Sequence, residues 1–110
     1  MKQVVVIGAG KIGGAIAAML AHSGDYAVLV ADRSPEQLGK IDRHPAVSTA
    51  VVDIADRDGL LAILEGRFAV LSAAPFSLTG RIAEAAREAG VHYLDLTEDV
   101  ATTRKVEGLA

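Results

Sequence analysis

A glycine-rich segment between two apolar runs is the feature that most limits what this chain can fold into. Residues 8–13 read Gly-Ala-Gly-Lys-Ile-Gly and directly follow the apolar residues 4–7. A second apolar run, residues 27–31, ends at Asp32, nineteen residues after Gly13. A lone G-x-G-x-x-G motif is a weak signal, but a strand, a glycine turn, a helix, a strand and a terminal acid at this spacing are typical of a dinucleotide-binding unit. The sequence therefore predicts a dinucleotide site.

The residues of the glycine turn have different physical tasks in such a unit. Gly8 allows the tight turn off the strand, Gly10 lets a pyrophosphate approach the backbone, and Gly13 lets the helix pack close to the sheet. At Lys11 and Ile12 the helix N-terminus offers unpaired N–H groups and a partial positive charge to the phosphates. Two plainer interpretations stay open, a glycine-rich turn with no ligand and a lysine that is simply exposed.

Composition narrows the functional classes. The 110 residues suffice for one domain with a single core, and 51 % of them are apolar while 4 % are aromatic. A net charge of −3 gives no electrostatic reason to expect nucleic acid or an anionic membrane. The first apolar run is too short to be a signal peptide or a membrane span. Because the chain has no cysteine, a reducing cytoplasm fits it.

Apolar strand patterns alternate with helical patterns along the whole chain. We expect strands over residues 4–7, 27–31, 47–52, 68–73 and 91–96. Helices are expected over residues 11–23, from 35, before 66, over 78–89 and from 97 onwards. The first helix is expected to turn one face toward the sheet, formed by Ile12, Ile16, Met19 and Leu20.

Five apolar strands separated by helices predict a doubly wound parallel sheet of the Rossmann type, covered by helices on both faces. Right-handed crossovers and a glycine motif on the first strand give the strand order 3-2-1-4-5. A full dinucleotide fold has a sixth strand. Residues 1–110 are therefore expected to be the N-terminal, cofactor-binding piece of a longer protein, truncated after the fifth strand and the helix that follows it.

The end of the second strand bears on the choice of cofactor. A carboxylate at Asp32 can accept hydrogen bonds from both hydroxyls of the adenosine ribose and would repel a 2′-phosphate, which favours NAD over NADP. Arg33 weakens that preference, because an arginine there can stack on adenine or bind a 2′-phosphate with help from Ser34. NADP therefore stays open, as does a plain surface role for Arg33.

Two further strand ends supply candidate cofactor contacts. Asp53 and Ile54 follow the third strand and are placed to flank the adenine, although Asp53 is also a residue that starts turns. Ala73, Ala74 and Pro75 end the fourth strand in small residues that let a cofactor pass without a clash. A tight turn before the next helix explains them nearly as well.

The sequence provides no convincing catalytic or metal-ligating group. Asp95, at the end of the fifth strand, could touch the nicotinamide, but a helix-capping role is favoured. His22, His44 and His92 have no spacing relation to each other or to a carboxylate pair, which favours surface or helix-end positions. No catalytic residue and no metal ligand is therefore predicted in these 110 residues.

The chain also resembles a known family. Residues 4–13, 53–56 and 73–76, and above all residues 89–96 (Ala-Gly-Val-His-Tyr-Leu-Asp-Leu), are similar to the N-terminal domain of saccharopine dehydrogenase-like proteins. The resemblance covers essentially the whole chain and implies a nicotinamide-dependent oxidoreductase that acts on the C–N bond of an amino-acid-derived amine or imine. The family's substrate residues lie in a second domain, so none can be assigned here. Asp32 departs from the NADP-using members, which tend to have an uncharged residue at that position.

Two other classes are weighed against this resemblance. A regulatory nucleotide-sensing domain, of the kind that gates potassium transport, shares the strand, the glycine turn and the terminal acid but catalyses nothing. The segment Tyr93-Leu94-Asp95 argues against it. A sugar-nucleotide epimerase or short-chain reductase needs a Tyr-x-x-x-Lys pair, and Tyr93 is followed four residues later by Thr97. The substrate, the direction of reaction and a homo-oligomeric state are left open by the sequence.

Overall fold

The apolar segments assemble into one parallel five-stranded sheet in the order β3-β2-β1-β4-β5. The structure, a computed structural model, describes residues 2–41, 44–73 and 76–95, with side chains for all of these except 76–79. The strands are β1 (Lys2–Ile7), β2 (Tyr26–Asp32), β3 (Val47–Val51), β4 (Ala69–Ser72) and β5 (His92–Asp95). The predicted fold class and strand order are confirmed, since all four strand pairs are parallel.

Four helices connect the strands: α1 (Lys11–Ser23), α2 (Pro35–Leu38), α3 (Arg57–Leu64) and α4 (Phe76–Ala89). The register pairs Ile7 with Ala31 on one side and with Ser72 on the other, so the strands end at one common edge. The turns after the strands therefore lie together at the carboxyl edge of the sheet, where open parallel sheets bind their ligands.

One face of the sheet is covered by α1 and α2, and its contact with α1 is made by small residues. The buried residues of α1 are Gly13, Ala17 and Ala21, while Ile16 and Leu20 pack at the margin. The expectation that Met19 faces the sheet is wrong, because its side chain is 61 % exposed. The helix lies so close to the strands that only residues spaced by four, without long side chains, fit between them, and Met19 is on the opposite side.

The other face carries the larger apolar core under α3 and α4. Branched side chains from β1, β2 and β4 meet helix residues there, and the fully buried members include Val5, Val70, Leu60, Leu64 and Ile82. Ala85 and Ala86 of α4 are buried there as well. Both faces of the sheet are thus apolar, as the near-continuous runs of valine and leucine require.

Side chains cap the N-termini of α2 and α3. Ser34 Oγ accepts a hydrogen bond from Gln37 N (3.3 Å) at the start of α2. Asp56 Oδ1 accepts one from Gly59 N (3.2 Å) at the start of α3. The helix expected from residue 97 lies outside the described residues.

Candidate dinucleotide-binding site

The glycine turn leaves β1 at the carboxyl edge of the sheet and leads directly into α1. Gly8 has a φ of 104°, a left-handed conformation that favours glycine, and its N–H donates to Ala31 O of the neighbouring strand (2.8 Å). Gly10 is the N-cap of α1, and its carbonyl accepts the first helical hydrogen bond from Gly14 N (2.8 Å). The turn is therefore short, since only three residues separate the end of β1 from the start of α1.

Two glycines of the motif face different surroundings. A Cβ at Gly13 would overlap the carbonyl oxygen of Gly8 and lie 2.9 Å from its carbonyl carbon, so the helix and the turn approach each other backbone to backbone. A Cβ at Gly10 would meet nothing within 4 Å. This division matches the tasks expected from the sequence, in which Gly13 serves the packing and Gly10 leaves room above the turn.

The N-terminus of α1 is electrostatically available to an anion. The cap residue Gly10 makes no side-chain hydrogen bond, and the first turn of the helix contains no acidic residue. The N–H groups of the first turn have no acceptor inside the helix, and the helix dipole adds a partial positive charge there. Lys11 lies exposed beside them, while Ile12 is half-buried. Such a terminus is suited to a phosphate group.

Asp32, the last residue of β2, is half-buried and holds two backbone segments. Its Oδ2 accepts a hydrogen bond from Ala9 N in the glycine turn (2.7 Å), and its Oδ1 accepts one from Ser34 N (2.8 Å). Because an ionised carboxylate has about four acceptor positions, two positions are left for further donors such as hydroxyl groups. The expected partners were ribose hydroxyls, whereas these two partners belong to the chain itself.

An open cavity of about 360 Å³ lies beside the glycine turn, between α1 and α2, and its lining includes Gly10, Lys11, Gln37 and Lys40. Both lysines are exposed. Arg33 is exposed as well, at the end of the neighbouring strand, and Ser34 is half-buried because it caps α2. The structure thus collects several cationic side chains at this corner of the sheet. Lys11 and Arg33 were expected from the sequence, whereas Lys40, just beyond α2, was not.

The other residues predicted to contact the cofactor lie in the segments that follow β3 and β4. Asp53 Oδ1 accepts a hydrogen bond from Ala55 N (2.9 Å), and its carbonyl accepts one from Asp56 N (2.9 Å), so Asp53 forms a turn. Ile54 packs partly against the larger core. Ala73 N donates to Ile7 O (2.8 Å), which keeps Ala73 beside the end of β1. Ala74 and Pro75 lie outside the described residues. No cofactor contact is tested for any of these residues, and each stays a prediction.

Two side-chain arrangements could not be read from the sequence. The rings of His22 and His44 meet edge to face with centroids 5.0 Å apart, and His44 Nδ1 accepts a hydrogen bond from Ala46 N (3.0 Å). Among the described residues no third potential ligand joins them to form a metal site. Ser72 is fully buried at the end of β4, and within the described part of the chain its Oγ has no hydrogen-bond partner.

The parallel sheet, the glycine turn at its switch point and the carboxylate at the end of β2 define a dinucleotide-binding α/β domain. The family model of the saccharopine dehydrogenase NADP binding domain matches residues 4–107, and the chain belongs to this family. No curated protein sequence matches the chain. Of the described helices, none combines the length and apolarity needed to cross a membrane.

Solved structures have the same fold. Saccharopine dehydrogenase (L-Glu forming) from Saccharomyces cerevisiae is 20 % identical with a TM-score of 0.80, over 96 % of this chain and 24 % of that protein. A Rossmann-fold NAD(P)-binding family protein from Shigella flexneri is 17 % identical with a TM-score of 0.72, and the match covers 98 % of this chain and 60 % of that protein. A mutant uronate dehydrogenase from Agrobacterium tumefaciens, complexed with NAD, is 25 % identical with a TM-score of 0.62, and the match covers 82 % of this chain and 38 % of that protein. The chain therefore spans between a quarter and three fifths of these proteins.

Proposed function

We propose that this chain is the cofactor-binding part of a nicotinamide-dependent oxidoreductase that acts on the C–N bond of an amino-acid-derived amine or imine. Membership of the saccharopine dehydrogenase family supports the reaction class. The observation that carries the cofactor part is the uncapped N-terminus of α1 beside the Asp32 carboxylate, with open space above Gly10. The phosphates would lie on the helix N-terminus and the adenosine ribose beside Asp32.

Within this proposal the domain prefers NAD to NADP. A 2′-phosphate would lie against the charge of Asp32, and we expect this to cost about 1–3 kcal/mol after partial screening. The description of the family names NADP, and Arg33, Ser34 and Lys40 are the residues through which the phosphate could be accepted. Calorimetric titration of the chain with both nucleotides decides the question. Tighter binding of NADP would mean that these three residues, rather than Asp32, set the preference.

The substrate is proposed to bind outside residues 1–110, in a further part of a longer polypeptide. The yeast saccharopine dehydrogenase is about four times the matched length, which leaves room for such a part. The cofactor would donate a hydride to an imine or accept one from an amine, while this chain binds and orients the cofactor. We also propose a cytoplasmic location, which the cysteine-free composition supports. Fractionation of cells that express the natural protein tests the location.

Activity assays separate the proposed cofactor binding by this chain from the proposed substrate binding outside it. The isolated chain should give a flat NADH absorbance trace with saccharopine, lysine and carboxynorspermidine, because the substrate is proposed to bind outside residues 1–110 and must be held against the nicotinamide to react. The natural polypeptide should turn over one substrate of this class. Turnover by the isolated chain would contradict the placement of the substrate site. A natural polypeptide that binds nucleotide but never reacts would instead favour a regulatory nucleotide sensor.

A further inference from the structure

The carboxylate of Asp32 connects two turns that are far apart in the sequence. Its two oxygens accept hydrogen bonds from the N–H of Ala9, 23 residues upstream, and from the N–H of Ser34, two residues downstream. The main chain of Asp32 is itself fixed, since its carbonyl accepts from Val52 N of the neighbouring segment (3.0 Å). The side chain therefore starts from a rigid point of the sheet and reaches across to the glycine turn.

The glycine turn needs such an anchor more than other turns do. Gly8 and Gly10 bracket Ala9, and glycine restricts the backbone less than any other residue. Two consecutive N–H groups are tied to the end of β2: that of Gly8 to Ala31 O (2.8 Å) and that of Ala9 to Asp32 Oδ2 (2.7 Å). Fixing these two peptides fixes the approach to α1, whose first-turn N–H groups have no acceptor inside the helix.

We propose that Asp32 is a positioning residue for the phosphate-binding turn, in addition to the ribose contact expected of it. Its charge-assisted hydrogen bond to Ala9 N holds the turn in the orientation in which the amides after Gly10 converge on a phosphate group. The inference rests on the proposed nucleotide binding. Its consequence is that Asp32 contributes to the binding of a diphosphate even when the ligand has no ribose hydroxyls.

Direct electrostatic repulsion between Asp32 and a diphosphate predicts the opposite change in affinity when the carboxylate is removed. A carboxylate near the turn repels a diphosphate, so removing its charge should tighten the binding of a ligand that it does not otherwise touch. Asp32→Asn has the same shape but only one acceptor oxygen, and its amide group would face one of the two N–H donors. The substitution therefore removes the charge and breaks the clamp together, and the sign of the change in affinity shows which effect dominates.

The test is a calorimetric titration with two probes, ADP and 2′,3′-dideoxy-ADP, which lacks both ribose hydroxyls. We expect Asp32→Asn to weaken the binding of the dideoxy compound at least tenfold and the binding of ADP by at least the same factor. The matched control is Asp25→Asn, which removes an exposed carboxylate just before β2, at the opposite edge of the sheet, and should leave both affinities unchanged. Circular dichroism checks that both variants keep their sheet and helices.

A second measurement uses the unmodified chain and does not depend on how the variant folds. If one carboxylate accepts from Ala9 and Ser34, their amide proton resonances should shift together with a single midpoint in an acid titration followed by NMR. Different midpoints, or a dideoxy-ADP affinity that stays equal, rises or falls less than tenfold in Asp32→Asn, would overturn the positioning role and leave the proposed nucleotide binding intact. If the unmodified chain bound neither ADP nor NAD nor NADP, both proposals would fall.

Discussion

Because α1 lies so close to the glycine turn, we expect any side chain at Gly13 to lower the free energy of unfolding. The substitution Gly13→Ala places a Cβ on the carbonyl oxygen of Gly8 and 2.9 Å from its carbon, whereas non-bonded carbons prefer about 3.5–4.0 Å. Both partners are backbone atoms, so no side chain can rotate away and the helix must move off the sheet. Overpacking of this kind costs about 1–3 kcal/mol, and the upper end of that range applies here.

The gain in helix propensity offsets part of this loss. Alanine is better than glycine inside a helix by about 1 kcal/mol, so the net destabilisation should be about 2 kcal/mol. For a chain of 110 residues this corresponds to a fall in Tm of roughly 8–15 °C. Thermal unfolding followed by circular dichroism measures the shift.

The neighbouring glycine supplies a matched control. A Cβ at Gly14 meets only the flexible end of Ile41, Cδ1, at 3.4 Å. Gly14→Ala should therefore gain helix propensity without a clash and raise the free energy of unfolding by up to about 1 kcal/mol. If Gly13→Ala melted at or above the temperature of Gly14→Ala, the inferred backbone contact between α1 and the turn would be refuted.

Two other substitutions test the turn and a helix cap. Gly10→Thr should keep the Tm within a few degrees, since threonine caps helices about as well as glycine and the space is open, but it should abolish nucleotide binding in calorimetry. Unchanged affinity would show that no ligand approaches Gly10. Asp56→Ala should lower the free energy of unfolding in urea by about 1 kcal/mol, because it removes the hydrogen bond to Gly59 N. No loss of stability would mean that α3 starts without this cap.

The order of the strands was predictable because each βαβ unit carries its own signals. Apolar runs, glycine turns and helix caps are local, and right-handed crossovers then leave few topologies. The helix bounds Lys11–Ser23 were read directly from such signals. Short apolar segments fold as strands here because both faces of the sheet are covered, which their continuous apolar character already indicated.

The close packing at Gly13 was also predictable from the spacing of the motif, whereas the approach of a ligand to Gly10 stays a prediction. The placement of Met19 was not. The face of α1 that meets the sheet is centred on the small residues Gly13, Ala17 and Ala21, and Met19 is on the opposite side of the helix.

The sequence by itself determined that Asp32 stands at the end of the second strand, where a ribose is expected, because strand length and motif spacing are local properties. Only the tertiary structure decided that its carboxylate is bonded to the N–H groups of Ala9 and Ser34. In the same way, folding alone brought His22 to His44 and Lys40 to the cavity beside the glycine turn. Contacts between residues far apart in the chain depend on how the elements pack, and spacing along the sequence does not specify that packing.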